Sequence, residues 1–157
     1  MEQVVKKDIN ELVYLIAKEH ANAEVERQAL KELYEMYRAP FYFVAFSLFK
    51  NDKKAKLVAA EAFRRIQESA YRFEDTLNAQ YWFFDVLYTL CANATGTTES
   101  HAECYIKMCS ELTANEIASL TDKKNSEVKK ILANEENIKQ VKETLAQGAP
   151  DYWEYVI

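Results

Sequence analysis

The chain has 157 residues, 49% of them hydrophobic and 29% charged, the balance of a globular rather than a disordered protein. Its formal net charge of −5 excludes a uniformly basic nucleic-acid binder but is compatible with a local basic patch. Two Gly and two Pro are too few for the tight turns of a β-rich fold of this length, so the composition points to an all-α protein.

Apolar residues recur at helical spacing along most of the chain. The opening "MEQVVKKDIN" is polar and lacks a signal-peptide core. Ile9, Leu12, Val13 and Ile16 mark a first helix, and Leu30, Leu33, Tyr34 and Tyr37 a second. Pro40 suits the first turn of a third, which would run to about Phe49. Asn51 and Asp52 can cap a fourth, through Ala55, Val58, Ala62 and Ile66. The polar run "RFEDTLN" (72–78) is a connection. A fifth helix follows in "QYWFFDVLYTLCANATG", where Trp82 and the Phe residues pack a core. A membrane span needs about 20 apolar residues, and Gln80, Asp85, Thr89 and Asn93 interrupt this stretch.

The small, polar "NATGTTES" (93–100) is the clearest boundary. It separates an N-terminal helical bundle, 1–95, from a second domain, 96–147, with shorter helices at about 101–110, 113–120, 125–134 and 136–147. Gly148 and Pro150 end the last helix. The tail, 148–157, carries Tyr152, Trp153, Tyr155 and Val156 and is expected to fold back on the body. Residues 1–95 hold 13 basic and 14 acidic side chains and the remainder 7 and 11, so neither half is basic as a whole.

"LTANEIASLTDKKNSEVKKIL" (112–132) is the most informative stretch. Thr113 and Glu116 form a capping box, T-x-x-E, that starts a helix. Ile117 and the small Ala118 allow a second helix to cross closely, "TDKKNS" makes the turn, and Val128, Ile131 and Leu132 give the next helix an apolar face. This is a helix-turn-helix pattern, whose second helix enters the DNA major groove with its N-terminal residues at base edges and basic neighbours at phosphates. Lys123, Lys124, Lys129 and Lys130 cluster there. An ordinary helical hairpin with solvated lysines is the other reading of the same residues.

Taken in order, five segments resemble a bacterial RNA polymerase sigma factor of the extracytoplasmic-function type, over roughly residues 9–147. "ELVYLIAKE" and "ALKELYEMYRAPFYFVAFSLFKND" look like the family's first conserved stretch. "AKLVAAEAFRRIQESAYRF" looks like its polymerase-binding helix, with Glu61 and Phe63 at the Glu-x-Phe. "YWFFDVLYTLCAN" is similar to the helix that opens and reads the downstream promoter element, and "YIKMCSELTANEIASLTDKKNSEVKKIL" to the helix-turn-helix for the upstream element. The resemblance implies a sigma region 2-like bundle followed by a sigma region 4-like domain. It implies promoter recognition and transcription initiation, with core RNA polymerase and promoter DNA as partners and no cofactor. Glu61, Arg64 and Arg65 would meet polymerase; Lys123, Lys124, Asn125, Ser126, Lys129 and Lys130 would meet DNA.

The chain departs from the family at several positions. Lys54, Leu57 and Ala60 replace acidic and Gln residues, Asp85 and Tyr88 stand where Arg is common, Glu111 replaces a turn Gly, and Lys123 stands where an apolar residue packs. These departures motivate an alternative: a sigma-like interaction protein that binds a regulatory protein, such as an anti-sigma factor, without opening promoters.

His101, Cys104 and Cys109, with Cys91 one helix away, could ligate zinc, but H-x2-C-x4-C is not a standard finger and no CxxC exists. Thiols packed as small hydrophobes are the preferred reading, so no metal is expected. Three cysteines cannot all pair within one chain, and reduced thiols suggest a cytoplasmic protein. His20 and His101 stand in no catalytic motif, and Gly96 and Gly148 stand alone, so no enzyme is expected.

Overall fold

The computed structural model describes residues 9–17, 22–73, 78–91 and 101–157. The expected boundary at 93–100 and most of the connection at 72–78 lie outside these residues. The protein is all-helical: the described residues contain no strand. In chain order the helices are α1 (Ile9–Ala17), α2 (Ala23–Phe49), α3 (Asp52–Ser69), α4 (Ala79–Leu90), α5 (Ala102–Cys109), α6 (Ala114–Thr121), α7 (Asn125–Ala133), α8 (Glu135–Gln147) and α9 (Trp153–Val156). A 3-10 turn, Ala70–Arg72, extends α3. No helix of the described residues is long and apolar enough to cross a membrane.

The caps explain most of the boundaries. Asn22 accepts from the Glu24 amide, Asn51 from Lys54, and Asn134 from Glu136 and Asn137, each satisfying amides that a helix start leaves orphaned. One expectation fails at Pro40. No third helix starts there; Pro40 lies inside the continuous α2. An internal proline removes one helical hydrogen bond and costs about 3 kcal/mol in an isolated helix. Here Tyr37, Pro40, Phe41, Val44 and Ala45 are all buried, and that packing favours continuing the helix. A helix break is placed instead at Lys50, which takes the left-handed conformation (φ 57°).

The helix α2 is the central element. It packs against α1, α3 and α5, while α4 packs on α3 and α2. An aromatic cluster joins them: Tyr37 meets Phe83 edge-on at 5.3 Å, and Phe41 lies 4.7 Å from Phe63 and 5.6 Å from Phe84. The two halves meet along two contacts. One is apolar, where α5 lies on α2 and Tyr105 stacks on Phe43 at 5.5 Å. The other, between α4 and α6, is largely polar. Buried side chains of both halves form one continuous cluster, which includes the tail residues Tyr152 and Val156. The tail therefore does fold back, as expected.

Candidate nucleic-acid interface

The helices α5, α6 and α7 pack on one another as a trihelical unit, with α8 laid against α7 and α5. Its centre holds Ile106, Leu112, Ile117, Ala118 and Val128. The capping box forms as the sequence predicts: Thr113 Oγ1 accepts from the Glu116 amide at 3.2 Å, and Glu116 Oε1 accepts from the Thr113 amide at 3.0 Å. Helix α6 ends on Asp122, which adopts the left-handed conformation (φ 55°). Asp tolerates this better than most residues because its short side chain can bond locally. The Lys123 amide then donates to the Ala118 carbonyl at 3.0 Å, closing the turn.

Helix α7 buries only Val128 fully. Lys124 caps it, and Lys124, Asn125, Ser126, Lys129 and Lys130 are all exposed. These five predicted DNA contacts therefore share one short, open helix. Lys123 is placed differently. Its ammonium pairs with Glu103 of α5, whose side chain is 0% exposed, while that of Lys123 is 25% exposed. The second Glu103 oxygen has no hydrogen-bond partner among the described residues. A charge buried this deeply needs a counter-ion, and Lys123 supplies it. Lys123 is thus engaged in holding the turn onto α5. Sequence reasoning missed Glu103. It lies within an apolar string, and its partner is twenty residues away, so spacing alone gave no signal.

On α3, Glu61 accepts from Arg64 Nε at 3.0 Å and from Arg65 Nε at 3.3 Å. The hydrogen bond from Arg64 is the main reason the Glu61 carboxyl is held below its ordinary range. Arg64 also donates to the carbonyl of Tyr155 in the tail. The three predicted polymerase contacts thus form one local ion-pair group, and the tail touches one of them.

Helix α4 presents Asp85 and Thr89 to solvent and buries Phe83, Phe84 and Leu87. Trp82 is only partly buried, stacking on Phe73 at 5.5 Å. The start of α4 is held by α6 and the residues before it. Asn78 donates to Glu116 Oε2 at 3.2 Å, the Tyr81 hydroxyl donates to Ser119 Oγ at 3.1 Å, and Gln80 accepts from the Glu111 amide at 3.0 Å. Glu116 thus serves the capping box with one oxygen and this seam with the other. The partners are more than thirty residues apart, beyond any local pattern.

Among the described residues no group of three or more His, Cys, Asp or Glu side chains could hold a metal ion. Cys91, Cys104 and Cys109 are free thiols. Burial pushes Cys91 up to about 12, and Cys104 and Cys109 up to about 11, so none is primed as a thiolate ligand or nucleophile.

No protein-family model matches the chain, and no curated protein matches it.

Proposed function

We propose that the protein is a sigma-factor-like subunit of transcription initiation. Its helix-turn-helix binds promoter DNA through α7, and its N-terminal bundle engages core RNA polymerase through Glu61, Arg64 and Arg65 of α3. The observation that carries this reading is the α6–turn–α7 unit. A reciprocally capped first helix and a tight turn present Lys124, Asn125, Ser126, Lys129 and Lys130 together on an open second helix. Amide and hydroxyl groups at a helix start suit base edges, and the lysines suit phosphates. Promoter-directed transcription with core polymerase is the direct test. Absence of both transcription and polymerase binding across many promoters would sink the proposal. Lys129→Ala should weaken DNA binding with little sequence bias and lower the salt slope by about 0.9 if one phosphate contact is lost.

A second reading is a sigma-like protein that binds a regulatory protein, such as an anti-sigma factor, without opening DNA. It is favoured by α4, which carries no Lys or Arg, exposes Asp85, and has its first turn engaged by α6. An exposed carboxylate repels phosphate. Tight DNA binding that falls steeply with salt would count against this second reading.

A further inference from the structure

Residues 151–157 lie across α2 and α3 in the manner of a bound peptide. Asp151 Oδ1 accepts from the Tyr34 hydroxyl at 2.5 Å and from the Trp153 amide at 3.0 Å. The Tyr152 amide donates to Tyr34 Oη at 2.7 Å, and the Tyr152 hydroxyl donates to the Arg38 carbonyl at 2.7 Å. Tyr152 is fully buried, edge-on to the Tyr34 ring at 5.1 Å. Lys31 Nζ lies 4.5 Å from the Trp153 ring centroid, and Arg64 bonds the Tyr155 carbonyl.

The receiving walls and the seated segment are complementary in charge. Arg27, Lys31 and Arg38 of α2 and Arg64 of α3 surround the seat, while the segment is aromatic and carries Asp151 and Glu154. The segment is also weakly self-supporting. Four residues are too few to hold α9 as an independent helix. Open cavities of about 620 and 450 Å³ adjoin it, one reaching Trp153 and the other Val156 and Ile157. It follows Gly148, whose φ of 81° turns the chain out of α8.

We propose that the groove between α2 and α3 is a docking site for an acidic, aromatic segment of a partner protein, which residues 151–157 fill in cis until that partner displaces them. A basic segment would meet the cationic rim, and a purely apolar one would leave the Tyr34 hydroxyl and the Arg38 carbonyl unpaired. The site does not depend on DNA binding by α7. It goes beyond the sigma-like reading, with which it shares only Arg64.

Native-state hydrogen exchange on the full chain is the first test. The amides of Tyr152, Tyr155 and Ile157 should exchange at least about tenfold faster than those of Leu33 and Phe63, through a local opening. Exchange of both sets at one rate, through global unfolding, would show the tail to be fixed core and overturn the proposal. The second test titrates a labelled peptide, Asp-Tyr-Trp-Glu-Tyr-Val-Ile, against the full chain and against Asp151→Lys, which keeps Tyr152. A tethered competitor acts at an effective concentration on the order of millimolar, so the variant should bind the peptide at least about tenfold more tightly than the unaltered chain. A peptide with Lys in place of Asp and Glu should not bind. No gain in the variant, or equal binding of the two peptides, would overturn the proposal.

Discussion

The N-terminal bundle and the C-terminal helix-turn-helix unit solve the problem of a core differently. In the bundle, α2 alone buries a long run of residues, and Tyr34, Tyr37, Phe41, Phe63, Phe83 and Phe84 interlock around it. In the second half the buried residues are small or aliphatic, α7 and α8 each bury one side chain fully, and a buried Glu103–Lys123 pair takes the place of apolar packing. Large aromatic rings bury much area per residue and fix their neighbours by edge-to-face geometry. A thin layer held by one valine per helix leaves most of each helix open to solvent. The thick half is built for rigidity, and the thin half for display.

The sharpest way to break this comparison is to remove a ring from the thick half. Phe63→Ala should cost about 3–5 kcal/mol in urea unfolding, because Tyr34, Phe41 and Tyr152 all lose a packing partner. A cost under about 1 kcal/mol would mean that the bundle is loosely packed.

A smaller effect should come from the ion pair of the thin half. Glu103→Gln should destabilise by about 1–3 kcal/mol, discounted from the cost of breaking a fully buried pair because Lys123 is partly exposed. The double variant Glu103→Leu with Lys123→Met should recover most of the loss. If the double variant is as unstable as the single one, the pair is not what holds the turn to α5. Thr113→Ala, which removes half of the capping box, should cost about 1 kcal/mol in the same measurement.

Acid should act on the thick half and its tail, with the smallest effect. A hydrogen bond from Tyr42 lowers Asp52, one from Arg64 lowers Glu61, and one from Tyr34 lowers Asp151. Each folded value lies below the unfolded one. Their stabilisation is therefore complete above the ordinary values of 3.8 and 4.5 and is lost as pH falls through the depressed folded values. Thermal melts should drop modestly below about pH 4, and Asp52→Asn should flatten that dependence. An unchanged pH profile in the variant would remove Asp52 from the account.

Much of the local structure was legible before any coordinates. The capping box at Thr113 and Glu116, the asparagine caps at Asn51 and Asn134, and the apolar spacing of α5 to α8 each concern residues within a few positions of one another. Caps and helical faces depend on such short separations, so the chain states them directly. The five exposed residues of α7 were legible for the same reason: their polarity and their place after a turn are local facts.

What the sequence by itself determined was the helical class, the ends of the short helices and the position of the turn. The tertiary structure decided the rest. Only it carried α2 through Pro40, because burial of the surrounding aromatic residues outweighs one missing hydrogen bond. Only it turned Lys123 away from its neighbours towards Glu103, and Tyr152 into a slot more than a hundred residues away in the chain. Those choices follow from desolvation. A buried charge or hydroxyl takes whichever partner lies nearest in space, and sequence separation does not enter that energy.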